Sequence, residues 1–233
     1  MIELLLLAAA TQSVRVGDFA GSGAPPAPWR VVQIGRKVPP SSYRRATVAG
    51  VAAIEARAKG SMALLARPIA VDLSATPVLC WRWFVDAPVA KADMTKKSGD
   101  DYAARLYVSF DIPDERMSSG TRFKLRLARS LFGRDVPDAA LNYVWDNRHP
   151  VGRRQMSPYT DRAQLIVAET GSGRAGQWVT ERADVQLDFE RAFAGPAKPI
   201  QLAIASDTDN TGSIARAAFA DIHFVARSEK CQF

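Results

Sequence analysis

The chain has 233 residues, of which 47% are hydrophobic and 24% are charged, a composition typical of a globular protein with a sizeable core. This composition excludes an intrinsically disordered chain and a protein embedded in a membrane. The formal net charge is +7, but the basic residues are scattered from Arg15 to Lys230 and match no nucleic-acid-binding motif, so we expect no nucleic-acid partner.

The N-terminal residues, 1–13, contain a short apolar run followed by small residues, a pattern typical of the end of a secretory signal peptide. The run is shorter than the roughly 20 apolar residues that span a bilayer. Glu3 occupies a place where signal peptides have Lys or Arg. We interpret residues 1–13 as a signal-peptide remnant, with an apolar first strand or helical turn as the alternative. The sequence therefore predicts a periplasmic or secreted protein without a transmembrane segment.

Beyond a Gly- and Pro-rich segment at 21–28, the chain consists largely of short apolar runs separated by Gly, Pro, Asp and Asn. Many short strands divided by turns predict an all-β fold. We expect a two-layer antiparallel β-sandwich of the jelly-roll kind, forming a single domain over 14–233. The predicted strands are 46–56, 62–71, 78–85, 102–110, 140–145, 164–170, 178–183, 185–189, 200–206 and 216–226.

One segment, 121–132, has the spacing of an amphipathic helix, so the sandwich is expected to include one or two short helices. Thr121 can cap the start of this helix, and Phe123, Leu127 and Leu131 recur on one side of it. Three arginines form a basic stripe, which we interpret as a solvated face rather than as a surface for an anionic partner. A strand over the same residues, with basic and apolar residues alternating, is the alternative.

The predicted strand at 102–110 follows two adjacent carboxylates and has one polar face. Alternation places Asp101, Arg105 and Tyr107 on that face, so we expect Arg105 to point out of the sandwich. Together with Asp100, these side chains could exchange paired hydrogen bonds with a sugar or an acid. An Asp–Arg pair that ties the loop to the strand without any ligand is the alternative.

The segment 206–213 is rich in Asp, Asn and Thr, and Asp207 and Asp209 have the spacing of the first ligands of an EF-hand loop. Position twelve of such a loop would be Ala218 instead of the bidentate Glu, which excludes an EF-hand. A looser calcium site with Asp207 and Asp209 as ligands stays open beside a plain turn of the same composition.

Two of the predicted strands have pairs of aromatic residues on one face, Trp81 with Trp83 and Tyr143 with Trp145. Exposed rings stack against the C–H groups of sugars, so Trp83 and Trp145 are candidate ligand residues. Packing in the core is the commoner role of tryptophan in a sandwich, and it is the alternative.

Signatures of catalysis are largely absent from the sequence, which has no nucleophile elbow, zinc-protease motif, phosphate loop or dinucleotide fingerprint. His149 and His223 are the two imidazoles that could serve as a base, without further support for either. Cys80 and Cys231 allow one disulfide or two free thiols, and the sequence leaves both open.

Several of these motifs together resemble a bacterial family catalogued as domain of unknown function 3047. The similarity lies in five segments in the same order: LCWRW at 79–83, DDYAARLYV at 100–108, LNYVW at 141–145, DTDNTG at 207–212 and ADIHF at 220–224. The resemblance extends over most of the chain from about Trp29 and implies a compact, exported domain without implying an activity. Residues 178–222 also look like galactose-binding-like jelly rolls and carbohydrate-binding modules, a likeness of fold alone.

Two functional hypotheses follow from these residues, and a purely structural envelope protein, in which neither polar cluster lines a cleft, is the alternative to both. The first is a binding protein of the cell envelope whose polar face recognises a glycan or a similar polar ligand, with Trp83 or Trp145 stacking on it. The second is a polysaccharide-active enzyme, a lyase or a hydrolase, in which Arg105 stabilises charge and Tyr107 carries a proton beside a carboxylate.

Overall fold

The computed structural model describes residues 13–33, 37–132, 136–196 and 198–233. Apart from Ser13, the predicted signal-peptide remnant lies outside the described residues. Two β-sheets pack face to face around a common core, which confirms the predicted all-β sandwich. Within the described part of the chain, no helix is both long enough and apolar enough to cross a membrane.

The described part of the chain forms thirteen strands and two α-helices. In chain order they are β1 (Val14–Gly17), β2 (Arg30–Val32), β3 (Ser42–Val48), β4 (Val51–Lys59), β5 (Leu64–Pro68), β6 (Val78–Val85), β7 (Tyr102–Asp111), α1 (Ser119–Phe132), β8 (Ala139–Asp146), β9 (Arg154–Met156), β10 (Ala163–Thr170), β11 (Trp178–Asp184), α2 (Val185–Phe193), β12 (Lys198–Asp207) and β13 (Ile214–Val225).

These strands form a six-stranded and a seven-stranded sheet among the described residues. The first has the order β11-β6-β13-β4-β3, with β1 also paired to β13. The second has the order β2-β5-β12-β7-β8-β10-β9. Most neighbours run antiparallel, as predicted, but β10 pairs with β8 in parallel. Each sheet thus has an inner face against the other sheet and an outer face turned away from it.

The core between the sheets is built from alternate residues of the facing strands. β7 contributes Leu106, Val108 and Phe110 from the seven-stranded sheet, and β6 contributes Trp81 and Trp83 from the six-stranded sheet. All five side chains are fully buried. Because an aromatic ring buries roughly 150–250 Å² of surface, the tryptophans are among the largest stabilising contributions to this interface.

The first predicted strand, 46–56, is in fact parts of two strands joined by a tight turn. Ala49 and Gly50 both have positive φ angles, of 44° and 82°, between β3 and β4. This conformation at both central residues is typical of the two-residue turns that match the twist of a hairpin. The alanine-rich sequence concealed the turn, because alanine is rarely the residue that marks a left-handed conformation.

The predicted strand at 185–189 is wrong, because these residues begin helix α2. The Asp184 side chain accepts a hydrogen bond from the Leu187 backbone N–H at 3.0 Å and so caps the helix. Val185 and Phe189, four positions apart, are buried on one side of it. The apolar residues of this segment fit both the two-residue period of a strand and the 3.6-residue period of a helix. The cap decides in favour of the helix.

Helix α1 confirms the predicted helix but not its predicted apolar side. Leu125 is 6% exposed and packs on the core, whereas Phe123 and Leu127 are 65% and 51% exposed. The spacing of apolar residues was therefore a correct sign of a helix and a wrong guide to the side that packs.

Candidate functional site

The polar face of β7 lies on the outer side of the seven-stranded sheet, opposite the core residues of the same strand. Its register against β12 shifts between Ala205 and Asp207, whose partners are Arg105 and Tyr102. β7 therefore contains one extra residue, a β-bulge. The bulge brings Tyr102 to the same side as Arg105, although simple alternation had placed the two on opposite faces.

Arg105 is at the centre of a buried polar network on this face. Its guanidinium donates to Asp207 Oδ2 at 2.6 Å and lies 3.4 Å from Asp100 Oδ1. The guanidinium also lies 4.7 Å from the Tyr102 ring centre and 5.2 Å from the Tyr107 ring centre. Arg105 is only 4% exposed. The expectation that it points into solvent beside Asp101 is therefore wrong, because aromatic rings and two other carboxylates enclose it.

Asn142 completes the shell around the guanidinium. It is the register partner of Tyr107 on β8 and is 1% exposed. With its amide oxygen facing Arg105, it accepts from Nη2 at 2.6 Å and from Nε at 3.1 Å. The sequence signal for this residue was available, because Asn142 is the one amide in β8 and lies in the middle of its apolar residues.

Burial shifts the titration of the groups in this network. Desolvation raises the pKa of Asp207 to about 7, against the opposing charge of Arg105. Desolvation likewise raises the pKa of Asp100 and of Tyr107. A tyrosine whose pKa is raised is a poor proton carrier at neutral pH. The raised pKa of Tyr107 therefore argues against the role of proton carrier that the sequence suggested for it.

Asp101 ties the loop after β12 to the start of β7. Its carboxylate accepts from the backbone N–H of Asn210 at 3.2 Å and of Thr211 at 2.6 Å. Asp101, Asp207 and Asp209 each offer an oxygen within 4.8 Å of the others, a spacing that a cation could use. A calcium ion would have to compete with Arg105 for Asp207 and with two amides for Asp101. Calcium binding at Asp207 and Asp209 stays a prediction.

Trp83 and Trp145 lie in the core rather than on an exposed face. They are 0% and 1% exposed, and their ring centres are 5.8 Å apart. A ring that stacks on a sugar needs a free face, so the expectation that these two residues bind a ligand directly is wrong. Each indole N–H has a partner at the edge of the core, Glu181 Oε1 at 3.2 Å for Trp83 and the Gly171 carbonyl at 2.9 Å for Trp145.

Glu181 is half of a carboxyl pair that the sequence analysis missed. Desolvation, with repulsion from Glu169, raises the pKa of Glu181 to about 8. Glu169 accepts hydrogen bonds from the Thr170 backbone N–H and from Arg174, both at 2.8 Å. The sequence signal was Glu181 itself, which shares a face of β11 with the core residue Val179.

A surface pocket of about 440 Å³ lies away from β7, between β11, including Glu181, and the C-terminal tail, residues 226–233. Its lining includes Arg182, Arg227, Lys230 and Phe233. The side chains predicted from the sequence to bind a ligand are not among its lining residues. Under this tail, Cys80 and Cys231 form a disulfide, which decides the alternative that the sequence left open.

The profile of a family described as "Protein of unknown function (DUF3047)" matches residues 27–223. This match confirms the resemblance found in the sequence motifs. No curated protein matches the chain. Among solved structures, it is similar to the xyloglucanase domain of NopAA, a type three effector from Sinorhizobium fredii, in complex with cellobiose. The two share 10% identity at a TM-score of 0.41 over 85% of this chain and 93% of that chain, a likeness too distant to bear on function.

Proposed function

The chain belongs to this DUF3047 family, and we propose that it is an exported binding protein that holds a glycan on the outer face of its seven-stranded sheet. The observation that supports this proposal is the state of Tyr107. Its ring is half-buried and fixed against Arg105, while Arg105, Asp207 and Asp100 are all buried beneath the surface. Tyr107 is therefore the member of the network that a ligand can reach.

The surroundings of Tyr107 suit a flat polar ligand. Its register neighbours are Asn142 on β8 and Ala203 on β12, and Ala205 lies opposite Arg105. These side chains of the adjacent strands are smaller than the tyrosine ring. The face of such a ring meets the C–H groups of a sugar, and its hydroxyl can bond to the sugar hydroxyls.

Arg105 acts in this proposal as a positioning residue. Its guanidinium lies against both Tyr102 and Tyr107, so it fixes two rings through stacking and charge. A ring that is already immobilised loses little conformational entropy when a ligand binds, which favours affinity. The network therefore preorganises the surface without contacting the ligand itself.

The disulfide supports the proposal that the protein works outside the cytoplasm. Bonds such as that between Cys80 and Cys231 persist in oxidising compartments and are rare in reducing ones. This bond and the apolar N-terminal run both support a periplasmic or secreted location. Expression with and without residues 1–13, followed by cell fractionation, tests it: export should require those residues.

Calorimetric titration of the purified protein with a panel of oligosaccharides tests the binding proposal. We expect Tyr107→Ala to weaken the binding of a positive oligosaccharide by about tenfold or more, since a stacked ring contributes about 1–3 kcal/mol. Phe123→Ala, which removes a 65% exposed aromatic ring on helix α1, is the control. Absence of binding to the whole panel, or equal binding by Tyr107→Ala, would contradict the proposal.

A second candidate function, polysaccharide cleavage, is favoured by the Glu181 and Glu169 pair. A carboxyl whose pKa is raised to about 8, with a second carboxyl beside it, is an arrangement that acid catalysis at neutral pH can use. Product release from polysaccharides should then be lost in Glu181→Gln and kept in Glu190→Gln, a glutamate on the exposed side of α2. Activity that persists in Glu181→Gln would exclude this pair as the catalytic groups.

A further inference from the structure

Three metal-ligand side chains meet under the C-terminal tail, on the outer face of the six-stranded sheet. Cys80 on β6 is the register partner of His223 on β13, and Cys231 comes from the tail that crosses both. The sulfur atoms and an imidazole nitrogen lie within 4.8 Å of one another. Cysteine and histidine in this combination are typical ligands of zinc.

A β-bulge in β13 places His223 in this position. The register of β13 against β6 shifts between Ala220 and His223, and Asp221 within the shift has a positive φ of 53°. Ile222 and Phe224 point into the core, so His223 between them faces outward beside Cys80. The histidine is nevertheless fully buried, because the tail covers it.

The hydrogen bonds of His223 define which ring nitrogen can bind a metal. Nδ1 lies 2.6 Å from the Asp221 carbonyl oxygen, to which it donates its proton. Nε2 accepts the Gln232 backbone N–H at 3.1 Å, so it holds the free electron pair and faces the tail. A backbone carbonyl that orients the second nitrogen in this way is the usual partner of a metal-binding histidine.

We propose that the reduced form of the protein binds a zinc ion through Cys80, Cys231 and His223 Nε2. Reduction by a dithiol transfers two electrons and two protons to the disulfide and gives two thiols, while the reductant becomes a disulfide. Binding of zinc then releases the two thiol protons, because the thiolate is the ligand. The metal replaces the Gln232 N–H at Nε2, and its fourth position is open to water or to an added ligand.

The distances between the three ligand atoms allow a metal ion to replace the disulfide with only local movement. In a tetrahedral site with Zn–S of about 2.3 Å and Zn–N of about 2.0 Å, ligand atoms lie roughly 3.5 Å apart. The three atoms are already within 4.8 Å of one another, so small side-chain rotations suffice once the sulfur–sulfur bond is broken. The disulfide and the metal are therefore alternative ways to hold the same tail.

Cobalt titration of the full chain tests the proposal. The protein is reduced with a phosphine, and Co²⁺ is added without oxygen as a spectroscopic probe for zinc. We expect a thiolate-to-cobalt charge-transfer band that saturates at one equivalent and disappears when Zn²⁺ is added. The oxidised protein should give no such band, since its sulfur atoms are bonded to each other.

Variants separate a histidine-containing site from simple thiol binding. His223→Asn should weaken cobalt binding on the order of tenfold or more, whereas His149→Asn, which changes the other histidine of the chain, should leave it unchanged. Cys231→Ser should remove the charge-transfer band. Circular dichroism verifies that each variant is folded, and zinc released upon reoxidation of the wild type provides a measurement that needs no variant.

Two results would overturn the proposal. One is a reduced wild-type protein that shows no thiolate band and releases no zinc upon reoxidation. The other is a folded His223→Asn variant that binds cobalt as tightly as the wild type. Metal held by the carboxylates of Asp101, Asp207 and Asp209 would give no thiolate band, so the two sites cannot be confused.

Discussion

Two ion networks of opposite stoichiometry lie on the outer faces of the two sheets. On the seven-stranded sheet, the buried cation Arg105 is shared by two carboxylates, Asp207 and Asp100. On the six-stranded sheet, the buried carboxylate Glu55 is shared by three arginines that are partly exposed: Arg44 at 2.6 Å, Arg216 at 2.7 Å and Arg57 at 3.1 Å. All three charged groups of the first network are buried, whereas in the second network only the carboxylate is buried.

The carboxyl groups of the two networks titrate in opposite directions. Desolvation by itself raises the pKa of Glu55, but hydrogen bonds from its three arginines outweigh this effect and lower the pKa to about 2. Desolvation raises the pKa of Asp207 to about 7, because its one cation is shared with Asp100 and the whole group is out of water. The number of arginines around a carboxylate, and the contact of those arginines with water, therefore decide whether the pKa of the carboxyl group is lowered or raised.

Of the substitutions in the two networks, the removal of the buried cation Arg105 should lower the stability of the protein most. Arg105→Met keeps much of the volume but leaves Asp207 and Asp100 without their shared partner, so we expect a loss of about 3–5 kcal/mol in the free energy of unfolding. Urea denaturation at pH 7 measures it. A loss below about 1 kcal/mol would mean that the two carboxyls are held neutral without the arginine.

The pH dependence of stability should differ between the networks, first through Asp207. Its folded pKa is raised from 3.8 to about 7, so its favourable contribution is present below pH 3.8 and is lost as the pH rises toward 7. We expect a decline on the order of 2 kcal/mol over this window, which Asp207→Asn removes. Denaturation curves between pH 4 and 8 measure the slope, and identical slopes in both proteins would contradict the raised pKa.

Glu55 should give the opposite slope at lower pH. Its folded pKa is lowered from 4.5 to about 2, so its contribution is present above pH 4.5 and is lost as the pH falls toward 2. We expect Glu55→Gln to cost about 1–2 kcal/mol at pH 7 and nothing near pH 2, because its arginine partners are solvated. Thermal melts across this range are the measurement, with a pH-independent cost as the contrary outcome.

The smallest effect is expected for one exposed member of the second network. Arg44 is 60% exposed, and Arg57 and Arg216 still hold Glu55 when it is replaced. Arg44→Met should therefore cost less than about 1 kcal/mol, and the difference should shrink further in high salt. This variant is also the matched control for Arg105→Met, and equal losses in the two would remove the distinction between the networks.

Alternation along the chain predicted much of the architecture. The strand at 78–85 has the predicted bounds, and 102–110 differs from β7 by one residue. Prediction from alternation failed at 185–189, where a side-chain cap selects a helix, and at 46–56, where two residues form a turn. Periodicity reports which side of a segment is apolar, and it contains no information on a hydrogen bond that ends one element or begins another.

The candidate site was predicted in part. The sequence put Arg105 and Tyr107 on the outer face of β7 and offered Asp100 as a partner of Arg105, but it missed Asp207 and gave Arg105 the wrong exposure. The bulge before Arg105 moves Tyr102 to its side, and Asp207 comes from a strand about a hundred residues later in the chain. Neither event leaves a signal within the strand itself.

The sequence by itself determined the class of fold, the approximate bounds of most strands and, in β7, the outer placement of Arg105 and Tyr107. These properties depend on neighbours along the chain, because side chains of a strand alternate with a period of two. The tertiary structure alone decided which charges meet, which tryptophans are covered and that Cys80, separated from Cys231 by 151 residues, lies beside His223. Such contacts depend on strand order and register, and a single bulge is enough to change a side chain's partners and its exposure to water.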